Sequence, residues 1–165
     1  MMGTRTGDID PAVYAHLHRS AGMTVDAIDA LLNKQSGMKG LCGMSDFRDI
    51  TSAIEQGNED ATLAMEIYLH RLRKYIGSYA FAMGGIDVIT FTAGGIGGEN
   101  VAEVRSGALE GGLEAFGIEI DAEQNAQRSK GIRTVSSKSS AVRVMVVPTD
   151  EELAIARQAL ELASS

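Results

Sequence analysis

Residues 86–100, IDVITFTAGGIGGEN, constrain the fold more than any other part of the chain. The first of them are apolar and β-favouring, which predicts a buried strand. The glycines that follow remove Cβ atoms from a turn, so a ligand can approach the backbone closely; they are Gly94, Gly95, Gly97 and Gly98. Glu99 and Asn100 then open a helix whose free N–H groups favour an anion. A strand, glycine turn and helix in this order hold a nucleotide in many α/β proteins, although the same unit can simply connect two elements.

Composition narrows the possible partners. The 165 residues suffice for one domain with a real core. A net charge of −7 argues against a nucleic acid or an anionic membrane as partner, while a local pocket could still bind a small anion such as ATP. No apolar run approaches the roughly 20 residues that span a bilayer. Because Cys42 is the single cysteine, no internal disulfide can form, and we expect a reduced, cytoplasmic protein.

Periodicity and breaker residues predict an α/β chain with its helices first and its strands late. The predicted helices cover 11–21, 25–36, 47–56, 59–83, 100–116 and 150–163, and the predicted strands begin at 86 and then cover 117–120, 133–136 and 141–147. Residues 37–45 are expected to form a loop, and 121–131 a polar surface connection. These strands make only part of a sheet. We therefore expect an incomplete sheet that an N-terminal portion would complete.

Two segments in the first third of the chain offer candidate site residues. Arg5 lies in a polar opening, MGTRTGD, and is either part of a frayed terminus or a cation aimed at a phosphoryl or carboxylate group. Asp46, Phe47 and Arg48 follow a glycine-rich loop. Ser45 or Asp46 could simply cap the next helix. Alternatively, its carboxylate could accept from ribose hydroxyls while the ring and the guanidinium enclose a purine.

Three further features carry alternatives of the same kind. Asn100 could read an adenine edge or cap its helix. Thr149 and Glu152 fit a capping box, which leaves Glu151 free either to hold Mg²⁺ through water or to pair with the helix dipole. Residues 34–37 could contact a phosphate or form a solvated helix end. The three histidines are expected at the surface, and Cys42 is expected to serve packing.

Five segments, in this order, resemble the C-terminal part of the acetate kinase family: MGTRTGDIDP, LLNKQSG, SDFRD, FTAGGIGGEN and VPTDEELAIAR. The resemblance implies the ribonuclease H-like, actin-like ATPase superfold, in which two α/β domains close around ATP and Mg²⁺. Residues 1–165 would then be the C-terminal nucleotide-binding domain. The implied reaction moves the γ-phosphoryl group of ATP to acetate, giving acetyl phosphate and ADP, and is reversible.

The resemblance also implies roles for individual residues. Arg5 matches the arginine that stabilises the transferring phosphoryl group and faces the acetate. The segment around adenine and ribose is matched by Asp46, Phe47 and Arg48. The turn that lines the nucleotide is matched by Gly95, Ile96, Gly97, Glu99 and Asn100. Glu151 matches the magnesium-linked glutamate. Family membership further implies a homo-oligomer, most simply a dimer.

The chain departs from the family pattern in three places. The glycine turn, usually FT-[AG]-G-[IV]-GEN, has two extra glycines, which lengthen the loop and could displace Asn100 by several ångströms. The SDFRD segment is one residue shorter than the commonest form. The N-terminal half of the family, with its catalytic aspartate and histidine, has no counterpart in these residues.

These departures leave several functional hypotheses open. We expect a fragment that is nearly inactive alone. Its exposed apolar surface and open sheet edge should associate with a second copy or with the missing half. The alternatives are a non-catalytic nucleotide-binding or interaction module, and a butyrate or propionate kinase fragment.

Overall fold

The computed structural model describes residues 1–92, 101–109, 111–127 and 131–163. Helices come first and strands late, as the sequence predicts. In chain order the elements are α1 Pro11–Ser20, α2 Val25–Lys34, α3 Gly37–Cys42, α4 Phe47–Glu55, α5 Glu59–Met83, β1 Val88–Phe91, α6 Ala102–Leu109, a 3₁₀ turn Glu114–Phe116, α7 Ala122–Ala126, β2 Arg133–Thr134, β3 Arg143–Val146 and α8 Glu151–Ala163.

The long helix α5 organises the described part of the chain, and its predicted bounds are confirmed. The Asn58 side chain accepts a hydrogen bond from the Ala61 N–H at 2.8 Å and so satisfies one of the free donors at the start of the helix. Leu69 and Leu72 of α5 pack against two separate apolar clusters. The helical core comprises Met38, Phe47, Ile50, Ala61, Ala64, Met65, Tyr68, Val101 and Val104. The sheet core comprises Phe91, Ala108, Leu109, Ile118, Val135, Val142, Val144 and Val146.

The sheet is small. In the described residues it has three strands in the order β1–β3–β2, with β1 parallel and β2 antiparallel to the central β3. Phe91 pairs with Val146, and both side chains are buried in the sheet core. The strand expected at 117–120 is wrong, because only the isolated bridge between Ile120 and Ser136 forms there. One edge of β1 therefore has no strand beside it within the described chain.

Other predicted bounds are also corrected. Residues 37–45 are not simply a loop, since α3 occupies Gly37–Cys42. The helix expected to run to 116 ends at Leu109, because Gly111 and Gly112 have φ values of 82° and 122° that a right-handed helix does not adopt. Within α6, Gly107 packs closely against α5, because a Cβ at this position would lie 2.5 Å from Leu69 Cδ1. The connection 121–131 contains α7, and Asn125 within it is buried.

Considerable apolar surface remains exposed, as expected from the sequence. Phe81, near the end of α5, is 90% exposed, and the Phe116 ring is also largely exposed. Every residue of α8 is exposed, including Leu153, Ile155, Leu160 and Leu162. Among the described residues, no helix combines the length and the apolar character that crossing a bilayer requires.

Candidate active site

The segment that carries Arg5 is held by the N-terminal end of α3. The N–H groups of Ser36, Met38 and Lys39 donate to the carbonyls of Thr4, Met2 and Gly3, each at 2.9 Å. The first N–H groups of a helix have no partner within the helix, so they are available to another segment. Within the predicted segment 34–37, Ser36 thus supports the segment that carries Arg5, whereas Lys34 ends α2 and Lys34 and Gln35 are exposed, as a solvated helix end would be.

Gly37 makes this close approach possible. Its φ is 63°, a left-handed conformation that residues with a Cβ rarely adopt. A Cβ at this position would lie 2.6 Å from the Arg5 carbonyl oxygen and closer still to the Met2 carbonyl oxygen. Both the backbone conformation and the available space therefore require glycine. The sequence segment LLNKQSG ends at this glycine, but a local pattern cannot show which other segment approaches it.

A second contact fixes the other end of the Arg5 segment. The Asp8 carboxylate accepts hydrogen bonds from the Tyr75 hydroxyl and from Arg71 Nη2, the latter at 2.9 Å, and both donors lie on α5. The hydrogen bond from Tyr75, followed by the Arg71 charge, holds the pKa of Asp8 below its usual value although desolvation opposes it. Arg5 thus lies between two anchored points of the chain, and it is exposed.

Asp46 and Arg48 pair with each other. Asp46 is the N-cap of α4 and accepts from the Arg48 N–H at 2.9 Å, while Arg48 Nη2 lies 2.6 Å from Asp46 Oδ2. The hydrogen bonds from Arg48 lower the pKa of Asp46 to about 2. Because this pKa lies below its ordinary value, the contact favours the folded state above that value and is lost as the pH falls toward 2. The capping alternative is thus observed, and both side chains remain at the surface.

Phe47 requires a correction, because its ring is not at the surface. The residue is only 1% exposed and belongs to the helical core. Its ring meets Tyr68 edge to face, with centroids 4.9 Å apart. A ring packed in this way is not available to enclose a purine in the described structure. Because Phe47 is packed in the core, it anchors the start of α4, where Asp46 and Arg48 lie on either side of it.

Glu151 is the first residue of α8 and is exposed. The expected capping box is wrong, because Asp150 rather than Thr149 caps the helix by accepting from the Leu153 N–H at 2.9 Å. Glu152 therefore has no capping partner in Thr149. Within the described residues, no group of three or more His, Cys, Asp and Glu side chains could hold a metal ion.

The predicted nucleotide turn lies outside the described residues. This applies to Gly95, Ile96, Gly97, Glu99 and Asn100. Arg5, the pair Asp46–Arg48 and Glu151 are each held by different elements, at the start of the chain, at the start of α4 and at the start of α8. The histidines at 16, 18 and 70 are exposed, as expected. Cys42 is half-buried, and its Sγ donates to the Met38 carbonyl at 3.2 Å.

Comparison with known proteins gives consistent matches over nearly the whole chain. The model of the acetokinase family matches residues 1–157. Acetate kinase from Corynebacterium jeikeium is 54% identical over 165 residues, which cover 99% of this chain and 40% of that protein. The crystal structure of Porphyromonas gingivalis acetate kinase has a TM-score of 0.88 and 44% identity, covering 99% of this chain and 40% of that one. The crystal structure of a propionate kinase from Francisella tularensis has a TM-score of 0.81 and 38% identity, covering 92% of this chain and 38% of that one.

The fold and these neighbours define an α/β domain of the actin-like ATPase class, as the resemblance implies. The chain belongs to the acetokinase family. It spans about 40% of the length of the curated relatives that it matches.

Proposed function

We propose that this chain is the nucleotide-binding part of an acetate kinase, acting in reversible phosphoryl transfer between ATP and acetate. The observation that carries the proposal is the presentation of Arg5. An exposed guanidinium lies on a segment that α3 holds on one side and α5 on the other. Phosphoryl transfer depends mainly on positioning and charge neutralisation, and an anchored arginine supplies both. That residues 1–165 form the C-terminal domain of such an enzyme stays a prediction.

Glu151 fits a magnesium site of the kind that phosphoryl-transfer enzymes use. Mg²⁺ is usually bound through one or two carboxylates together with the phosphates of the substrate, so a dedicated cluster of protein ligands is not needed. An exposed carboxylate at the start of α8 satisfies that requirement. When bound, Mg²⁺ would neutralise charge on the phosphates. Glu151 would hold and orient it, while Asp46 and Arg48 would lie near the ribose and adenine.

The first prediction concerns nucleotide binding. We expect the purified chain to bind Mg·ATP and Mg·ADP in calorimetric titrations and to form little acetyl phosphate by itself, because residues that act together in the transition state are spread over a longer protein. Robust turnover by the chain alone would refute the proposal that it is only the nucleotide-binding part of an acetate kinase. No binding at millimolar nucleotide would refute the nucleotide site and leave an interaction role.

A second candidate concerns the acid that is phosphorylated. The structural likeness to a propionate kinase keeps a longer acyl substrate under consideration. It can be tested by transplanting this chain into a complete relative and comparing acetate, propionate and butyrate. A preference unchanged from that of the parent relative would place acyl selection outside these residues.

The next prediction concerns association. We expect the purified chain to form dimers or larger species, because α8 and the end of α5 expose apolar side chains and, among the described residues, no strand lies beside one edge of β1. Light scattering should report a mass above the 17.5 kDa of one chain. Substitution of Leu160 and Leu162 with serine should lower that mass. A compact monomer at micromolar concentration would contradict the expectation.

A further inference from the structure

The described residues contain a buried polar pair between α6 and α7. Arg105 is 1% exposed and Asn125 is 4% exposed. Burial of the guanidinium, together with the nearby Arg133 charge, lowers the pKa of Arg105 to about 10, so Arg105 remains charged at neutral pH. A buried charge is tolerated only where hydrogen bonds compensate its lost hydration. The partners of Arg105 are therefore informative about what this pair holds in place.

Asn125 accepts two hydrogen bonds from Arg105 and also binds residues 102 and 106 of α6. Arg105 Nε donates to Asn125 Oδ1 at 2.6 Å, and Arg105 Nη2 donates to the Asn125 carbonyl at 2.7 Å. Asn125 Nδ2 in turn donates to the Ala102 carbonyl and to Ser106 Oγ, both at 3.1 Å. The Asn125 side chain thus both donates hydrogen bonds to residues 102–106 and accepts one from them.

The network continues from α7 into the sheet. The Asn125 N–H donates to the Asp121 carbonyl at 2.8 Å, and the Asp121 N–H donates to the Val135 carbonyl at 2.9 Å. The Val135 N–H then donates to the carbonyl of Val144 in β3 at 2.8 Å. A continuous series of hydrogen bonds therefore links the start of α6 to the central strand.

Hydrogen bonds constrain the orientation of α6 more strictly than apolar packing does. Val104, Ala108 and Leu109 bury α6 in the two cores, but apolar burial is non-directional and tolerates small rotations of a helix. Hydrogen bonds to Ala102 and Ser106 depend steeply on angle and distance. They determine where the first turn of α6 points, and α6 begins two residues after Asn100, the end of the predicted nucleotide turn.

We propose that Asn125, held by Arg105, is a positioning residue of the nucleotide site, because it fixes the first turn of α6 against the sheet. This inference rests on the proposed function. Neither residue needs to touch the nucleotide. Their effect is exerted through the helix whose N-terminal end follows the glycine turn.

The test compares Asn125→Ala with Asn58→Ala. Asn58 is matched in residue type and also binds a helix start, but it caps α5. In the nucleotide-free chain, Asn125→Ala should speed amide exchange in residues 104–109 by about tenfold or more, since it removes the acceptor of Arg105 Nε and the donor to the Ala102 carbonyl and Ser106 Oγ. It should also weaken Mg·ADP binding by about tenfold. Asn58→Ala should change neither quantity beyond its effect on global stability.

A conservative variant separates positioning from folding. Arg105→Lys keeps the charge but not the two-atom contact with Asn125, so its exchange and affinity should lie between those of the unsubstituted chain and Arg105→Met. Unchanged exchange in Asn125→Ala would overturn the inference, as would faster exchange with unchanged Mg·ADP affinity. Absence of Mg·ADP binding by the unsubstituted chain would instead refute the proposed function and, with it, the role of Asn125.

Discussion

Replacing Arg5 with alanine is expected to lower the kcat of phosphoryl transfer by a factor of about 10³ or more. The guanidinium is the one part of the predicted transition-state machinery that the described residues present at the surface on an anchored segment. Its contribution is made to charge that develops during transfer, so KM for ATP should change much less than kcat.

This measurement needs a complete enzyme, because the chain spans 40% of the length of its relatives. A suitable protein is a hybrid in which these 165 residues replace the matched segment of the Corynebacterium jeikeium acetate kinase. Arg5→Lys should recover only part of the loss, since an ammonium group keeps the charge but lacks the planar fork. Arg19→Ala is the matched control, because Arg19 is exposed and its Nε bonds only within α1 in the contacts observed, to the Ala15 carbonyl at 3.3 Å. A loss below tenfold for Arg5→Ala would contradict the catalytic role.

Local signals in the sequence were sufficient for the long helix α5 and for the central strand β3. Asn58 at the start of α5 and the apolar repeat that follows it are both local, so the predicted bounds 59–83 agree with the structure. The central strand β3 was equally readable from its run of β-branched residues. The strand at 117–120 failed because pairing depends on a neighbouring strand, which no local pattern specifies.

The surroundings of the candidate site residues were predictable only in part, because they depend on contacts between segments that are distant in the sequence. Arg5, Arg48 and Glu151 are exposed and Asp46 is half-buried, but Phe47 is in the core, where its ring packs against Tyr68 of α5. The supports of the site were not predictable. Asn125 lies in a polar stretch that composition assigns to the surface, and its burial follows from contacts with α6. Likewise, the glycines of 37–45 indicated a loop, whereas Gly37 starts a helix that packs against the Arg5 segment.

Gly37→Ala is expected to destabilise the folded chain by about 3 kcal/mol or more. A Cβ in the left-handed conformation costs about 1–2 kcal/mol, and overpacking of a tight contact adds about 1–3 kcal/mol. Both conditions hold at Gly37, where the new atom would meet the carbonyl oxygens of Met2 and Arg5. Backbone oxygens cannot rotate away as the end of a side chain can, so the segment that carries Arg5 must move.

Gly22→Ala provides a control that separates these two contributions. Gly22 also has a positive φ, 64°, but a Cβ there has no atom within 4 Å. Its substitution should therefore cost only the conformational term, about 1 kcal/mol. Urea unfolding of the chain itself gives both losses in the free energy of unfolding, provided that the m-value is unchanged. In the hybrid enzyme, Gly37→Ala should also lower kcat, because it displaces Arg5, whereas Gly22→Ala should not. If the two variants lose equal stability, then the Arg5 segment does not pack against Gly37, and the physical basis for an anchored Arg5 fails.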